Sequence, residues 1–245
     1  GDDEDGVSIP AAGIETAPGQ EVTFNARCGG GGAVAGWIDW NHNGVFDAAE
    51  KSDQATCDGR GNATLRWTVP EDVVRSIDGE SGSHPHTYMR VRTANAGVNL
   101  KPTGSTMGGE VEDYRIAVRV PTIQLVKNVQ APYGGQVKAL GADQWTLKAQ
   151  QGNGGAASLQ VTGTVDTGIK VARPGQYALT ESSTNPLAPG YEASSWRCSQ
   201  TPGTVGGWSG SILGSSSVRV KGTDRITCSV TNTTKPGALS WTKVD

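Results

Sequence analysis

Apolar side chains recur at every second position through most of the chain, a spacing that suits strands and little else. Val22, Phe24, Ala26 and Cys28 share one parity, as do Ala63, Leu65, Trp67 and Val69, and then Tyr114, Ile116, Val118 and Val120. Each set marks one strand face turned toward a core. Glycine, asparagine, aspartate and proline separate these runs. Glycine takes 35 of the 245 positions, about twice its usual ~7% share, so turns are many and the core is thin. One short helix is expected over residues 70–76, where Pro70 sits in a first-turn position and Glu71 and Asp72 suit a positive helix start. The fold class is all-β, with two tandem β-sandwich domains.

The run that ends at Val120 meets Pro121, and a new alternation begins at Ile123, which places a domain boundary near residue 120. The first domain covers residues 1–120 and the second 121–236. In the second, strands are expected around 123–129, 143–150, 157–164, 168–172, 175–182, 191–199 and 217–233. Seven strands suggest an Ig-like sandwich. Residues 237–245 follow a turn and are read as the start of a further, truncated domain. The chain opens on Gly1-Asp-Asp-Glu-Asp5 without a signal-peptide pattern and is read as a segment of a longer protein.

The net charge of -3, from 21 basic and 24 acidic groups, supplies no basic field for a phosphate backbone, so nucleic acid is not an expected partner. No apolar run approaches the roughly 20 residues that span a bilayer, and no membrane contact is expected within this segment. The cysteines are Cys28, Cys57, Cys198 and Cys228, with no CxxC pair and three histidines, a poor set for a zinc cage. Disulfides fit better. Three connectivities are open, and because two cysteines fall in each half, Cys28 to Cys57 and Cys198 to Cys228 is the economical pairing. An oxidising, extracellular compartment follows.

Residues 39–50 carry the twelve-position oxygen-ligand pattern of a calcium loop: Asp39, Asn41, Asn43, the Val45 carbonyl, Asp47 and Glu50, with Gly44 at the tight turn. Hard oxygen donors at alternate positions suit Ca2+, and the final glutamate can close the shell with both oxygens. The same residues also suit a metal-free polar turn. A strand, not a helix, is expected to enter the loop, and an affinity on the order of 0.1 to 1 mM would match extracellular modules. Two other acidic groups could join through the fold: Asp2 to Asp5, and Glu110, Glu112 and Asp113.

Strand parity in the second half turns three polar residues inward. Lys127 follows Ile123 and Leu125; Glu181 follows Tyr177 and Leu179; Asn232 follows Ile226, Cys228 and Val230. Burial favours uncharged forms. A neutral Lys127 amine can attack the Asn232 carboxamide while a protonated Glu181 polarises its carbonyl and shuttles the proton, giving an intramolecular isopeptide bond and ammonia. A lysine snorkelling from a strand end beside an exposed glutamate is the plainer alternative.

These residues also carry a resemblance. Val126-Lys127-Asn-Val129, Tyr177-Ala-Leu-Thr-Glu181 and Val230-Thr-Asn232-Thr resemble the signature strands of SpaA or Cna-B type prealbumin-like domains of Gram-positive pilins and adhesins, over about residues 121 to 236. That resemblance implies a self-generated isopeptide bond with Lys127, Glu181 and Asn232 in the three roles. The Trp196-Arg-Cys198 and Cys228 pair and the trailing Leu239-Ser-Trp-Thr-Lys-Val-Asp245 are similar to tandem actinobacterial members, which would make Lys243 the bond-forming lysine of a next domain. In the first half, Gly36-Trp-Ile-Asp-Trp-Asn41, Gly44-Val-Phe-Asp47 and Gly109-Glu-Val-Glu-Asp-Tyr114, together with the acidic start, resemble the GEVED domain of secreted and surface bacterial proteins.

The expected function is a non-enzymatic adhesin or pilus-associated segment of a bacterial surface, a calcium-binding module on a cross-linked stalk domain. Its partners would be neighbouring domains of the same chain and a host or cell-surface ligand, protein or glycan. Wall anchorage would come from regions outside the segment. The alternative is a carbohydrate-binding module of a secreted enzyme, motivated by Trp40, Trp208 and Trp241 as candidate exposed aromatics. A hydrolase lacks a convincing nucleophile and base, and His84 and His86 read as part of an exposed turn.

Overall fold

A computed structural model describes residues 6–76, 86–106, 108–132, 140–152, 160–201, 210–213 and 216–236. The chain divides into two compact units, Gly1–Pro121 and Thr122–Asp245. Both are built from strands, and among the described residues no helix is long and apolar enough to cross a membrane.

The first unit runs β1 (Ile14–Glu15), β2 (Glu21–Arg27), β3 (Ala33–Ile38), β4 (Ala55–Thr56), β5 (Asn62–Thr68), β6 (Thr87–Ala94), β7 (Val111–Ile116) and β8 (Val118–Arg119). Strands β2 and β5 pair antiparallel as a ribbon, β4-β3-β6-β7 form a four-stranded sheet, and β1 pairs parallel with β8. Alternation holds in the ribbon, where Val22, Phe24 and Ala26 lie opposite Trp67, Leu65 and Ala63 and all six are buried. It fails in β3, whose six residues are all buried. The cause is close packing: a side chain at Gly36 would sit 2.5 Å from the Trp67 ring and 3.2 Å from Leu65, so the ribbon lies directly on β3.

No helix forms over residues 70–76. Val73 N–H reaches the Pro70 carbonyl for a single turn, too few residues to offset the cost of nucleation. The sheet claims the next residues instead, because Ser76 exchanges bonds with Val118 and Arg75 donates to the Val120 carbonyl.

The second unit runs β9 (Thr122–Gln130), β10 (Thr146–Gln151), β11 (Gln160–Gly163), β12 (Lys170–Val171), β13 (Gly175–Ser182), β14 (Tyr191–Ala193), β15 (Arg197–Thr201), β16 (Gly210–Leu213), β17 (Ser217–Val220) and β18 (Arg225–Thr234). One sheet has the order β12-β9-β18-β15-β16, with β14 also on β18; the other is β11-β10-β13-β17. Leu125, Ile226 and Cys228 from the first sheet and Leu147, Tyr177 and Leu179 from the second share one core. Two strands expected as continuous are each broken. The 217–233 run is interrupted where Asp224 accepts the Lys221 N–H, and the 191–199 run where Ser194 bonds to Thr231 instead of extending. The expected start of a third domain, 237–245, lies outside the described residues.

Both disulfides join cysteines within a unit, Cys28 to Cys57 and Cys198 to Cys228. Cys198 and Cys228 are direct cross-strand partners on β15 and β18, and both are buried in the second core.

Candidate functional site

Strands β9 and β18 are the first and last described strands of the second unit, and they pair parallel with Val230 opposite Lys127 and Asn232 opposite Val129. Since side chains two apart share a face, Lys127 and Asn232 are diagonal neighbours on the core side. Glu181 comes from β13 on the other sheet. Its Oε2 lies 2.6 Å from Lys127 Nζ, an ion pair in which the lysine side chain is fully shielded and the glutamate's is 14% exposed. Burial pulls the Lys127 amine below its ordinary range, and the hydrogen bond and charge of Glu181 oppose that shift.

Asn232 is buried, and its Oδ1 has no hydrogen-bond partner among the described residues. A buried carbonyl left so costs roughly 1 to 3 kcal/mol. A lowered amine, a carboxylate bonded to it and an unpaired carboxamide oxygen on the adjacent strand are the components of an acyl transfer.

One participant escaped the sequence reading. Trp145, ahead of β10, places its ring 4.8 Å from Lys127 Nζ and meets Tyr191 edge-on at 5.8 Å. The signal was available, because Trp145, Leu147 and Ala149 alternate on one buried face.

In the first unit β3 delivers Asp39 into the loop, and the loop ends in a 3-10 turn, Ala48–Glu50, with no helix on either side. Asp39 accepts from the Asn43 and Gly44 N–H groups, each at 3.0 Å; Asn41 Oδ1 accepts from Asn43 and Asn43 Oδ1 from Val45. Glu50 closes the loop, with Oε1 accepting from Trp40 at 2.8 Å and Oε2 from Asp47 at 2.9 Å. Gly44 turns the chain at φ +80. The core fixes the end of the loop, because Trp67 Nε1 donates to the Glu50 carbonyl at 3.0 Å.

Asp39 and Glu50 are both buried, 5% and 2% exposed, and among the described residues neither pairs with a lysine or arginine. Burial raises the Glu50 pKa most; backbone donors at Asp47, Asn41 and Trp40 lower it, and the Asp39 charge raises it further. Two shielded carboxylates without a counter-charge fit a cation. Among the described residues no three His, Cys, Asp or Glu side chains form a metal cage of their own. An ion here would therefore depend on Asn41, Asn43 and the Val45 carbonyl as well.

The Glu110 to Asp113 group does not join the loop. Asp113 forms a fork with Arg90 at 2.7 and 2.6 Å, Glu112 holds the Tyr114 hydroxyl, and that hydroxyl accepts the Val7 N–H. Among the described residues its link to the loop is indirect, through the Arg90 guanidinium 5.3 Å over Phe46. Gly109, at φ +89, lies so close to the Thr93 carbonyl that any side chain would clash. Trp40 is fully buried, not exposed. Asp2 to Asp5, His84, Trp208, Trp241 and Lys243 lie outside the described residues. His86 immediately precedes β6 and meets Arg115 and Tyr88.

Residues 33–117 match the GEVED domain family, and residues 119–230 match a family described as a prealbumin-like fold domain, of SpaA type. The chain joins a GEVED domain to a prealbumin-like domain. Among solved structures it is similar to the major pilin of Streptococcus pyogenes, at 13% identity over 89% of this chain and 99% of that one, with a TM-score of 0.24. It is also similar to an adhesin from Mobiluncus mulieris containing intramolecular disulfide, isopeptide and ester bond cross-links, at 13% identity over 88% of this chain and 90% of that one, with a TM-score of 0.28. No curated protein matches the chain. Superposition this loose transfers nothing to individual residues of the GEVED or prealbumin-like domain, whose roles rest on their own geometry.

Proposed function

We propose that the chain is a non-enzymatic, load-bearing segment of an extracellular bacterial surface protein, an adhesin or pilus-associated stalk, whose prealbumin-like domain links Lys127 to Asn232. The observation that carries this reading is the shielded Lys127–Glu181 pair beside the unpartnered Asn232 carbonyl. Proton transfer across the 2.6 Å contact converts the ion pair into a neutral amine and a carboxylic acid, the two reactive forms. Nζ attacks Asn232 Cγ, and the acid donates to Oδ1 as charge develops there. The Nζ–Cγ bond forms, the Cγ–Nδ2 bond breaks, and the proton lost by the amine leaves with Nδ2 as ammonia.

Strand topology gives the bond its mechanical meaning. The first and last strands are parallel neighbours, so tension applied to the two ends of the domain shears β9 against β18. A covalent bridge between Lys127 and Asn232 takes that load and spares the hundred-odd residues between them. Cell-wall anchorage would come from regions outside this segment.

The GEVED domain's role in this proposal is a Ca2+-stiffened module, with Asp39, Asn41, Asn43, the Val45 carbonyl, Asp47 and Glu50 holding the ion. Calcium would supply the positive charge that the two buried carboxylates lack. The carbohydrate-binding alternative loses Trp40, which is inside the core.

Intact mass under denaturing, reducing conditions tests the bond. Wild-type chain should be lighter than its sequence by one ammonia, and Glu181→Ala should not. A wild-type mass equal to the sequence, or no peptide joining residues 127 and 232 after digestion, refutes the cross-linked stalk.

A further inference from the structure

The loop of residues 39–50 contains a second asparagine surrounded by groups suited to acyl transfer. Asn43 is exposed and is followed by Gly44, so the backbone nitrogen next to its carboxamide carries no flanking Cβ, and a Cβ built at Gly44 would meet nothing within 4 Å. Three atoms must gain or lose charge for that nitrogen to attack, and each is already bonded in the required sense. The Gly44 N–H points at Asp39 Oδ2, 3.0 Å away, which polarises the nucleophile. Asn43 Oδ1 accepts the Val45 N–H at 2.7 Å, so negative charge developing on that oxygen meets a fixed donor. The leaving nitrogen, Nδ2, donates to Asp47 Oδ2 at 3.0 Å.

We propose that Asn43 is a self-modification site, at which the Gly44 nitrogen closes on Asn43 Cγ in the folded protein. The N–Cγ bond forms, the Cγ–Nδ2 bond breaks, and the proton lost by the Gly44 nitrogen passes through water to the departing nitrogen, which leaves as ammonia. The product is a five-membered succinimide. Water then opens it at either carbonyl, giving aspartate or isoaspartate at position 43 with no oxidant or reductant involved. The aspartate product adds a negative charge to a loop already bearing Asp39, Asp47 and Glu50, and ligand charge count is one of the quantities that sets calcium affinity. The inference does not rest on the loop holding an ion.

The test is peptide mapping of the full chain aged in warm, mildly alkaline buffer with EDTA, beside the same chain aged in concentrated urea. Urea gives the rate dictated by the Asn-Gly sequence alone. The expected result is conversion in the folded protein at a rate within about tenfold of the urea rate, with both isomers of the position-43 peptide resolved; a tenfold difference corresponds to about 1.4 kcal/mol of barrier. Folded-state conversion more than about tenfold slower would mean that the loop's hydrogen bonds protect Asn43, and would overturn the proposal. Asn43→Gln should abolish the signal; persistence of the signal there would assign it to another residue and overturn the proposal as well.

Discussion

The two polar sites solve the burial of charge in opposite ways. In the prealbumin-like domain the shielded Lys127 meets its counter-charge within the chain, 2.6 Å away on Glu181. In the GEVED domain, Asp39 and Glu50 are as deeply buried and have backbone N–H groups but, among the described residues, no cationic side chain. In the proposed reading the first site holds its own electrophile, Asn232, beside the pair. The second would, in the same reading, take a cation from outside, and its partners within the chain are the backbone donors that hold the loop in shape. The proposal thus has one domain lock itself and the other take its stiffness from its medium.

Removing the lock should have the largest effect. Asn232→Ala keeps the Lys127–Glu181 pair and deletes the electrophile. In the chain-entropy account, losing a link over that separation costs roughly 4 to 5 kcal/mol. A urea titration that follows each domain separately should show the prealbumin-like transition moving by that amount and the GEVED transition staying in place. Equal movement of both, or of neither, would remove the contrast.

The disulfides come next, at roughly 3 to 4 kcal/mol each in the same account, because they close loops of similar length, 29 and 30 residues. Reduction is therefore expected to destabilise the two domains about equally. It sharpens the comparison by showing that the extra resistance of the prealbumin-like domain comes from the Lys127–Asn232 link. If the Asn232→Ala chain still shows the prealbumin-like domain far more stable than the GEVED domain after reduction, that extra resistance lies in packing.

Calcium should act on the GEVED domain alone. For affinities on the order of 0.1 to 1 mM, a tenfold to hundredfold excess of ion over Kd stabilises by about 1.4 to 2.7 kcal/mol. Terbium offers a direct readout, because the Trp40 backbone N–H is bonded to Glu50 Oε1, which makes a tryptophan residue part of the loop itself. Emission that calcium displaces, and that Glu50→Gln abolishes, is the expected outcome; no sensitised emission from the wild type would leave the loop a metal-free turn.

Parity made much of this legible. Lys127, Glu181 and Asn232 stand on apolar faces of strands whose alternation is plain in the sequence, and two cysteines in each half point to a pairing within each domain. Legibility ended where a segment is covered on both sides or claimed by distant partners. All six residues of β3 are buried because the β2 and β5 ribbon lies on Gly36, which removes the alternation that would have marked Trp40 as internal. Residues 70–76 carry good local signals for a helix start, yet Ser76 and Arg75 bond to residues more than forty positions away. The alternation of Trp145, Leu147 and Ala149 reports that Trp145 is buried, but its place beside the Lys127 amine is a contact between distant segments that no periodicity along one of them reports.

The smallest effect is the most diagnostic of the Lys127 site itself. In Asn232→Ala the amine stays free to titrate, and burial holds its folded pKa below the ordinary value, which is about 10.4 in an unfolded chain. Below the folded pKa both states carry the proton, and the full penalty of burying the charge is present. Between the folded pKa and about 10.4 the unfolded state binds more protons, so stability rises with pH across that window, by at most about 1.4 kcal/mol per pH unit. The measurement is the urea midpoint of Asn232→Ala from neutral to alkaline pH, referred to Lys127→Met/Asn232→Ala, which cancels the titrating groups away from the pair. A difference that climbs with pH identifies an amine kept partly neutral by its surroundings and ready to attack. A flat or falling difference would mean that Glu181 dominates and holds Lys127 as an ordinary ammonium, and the bond would then need another source for its nucleophile.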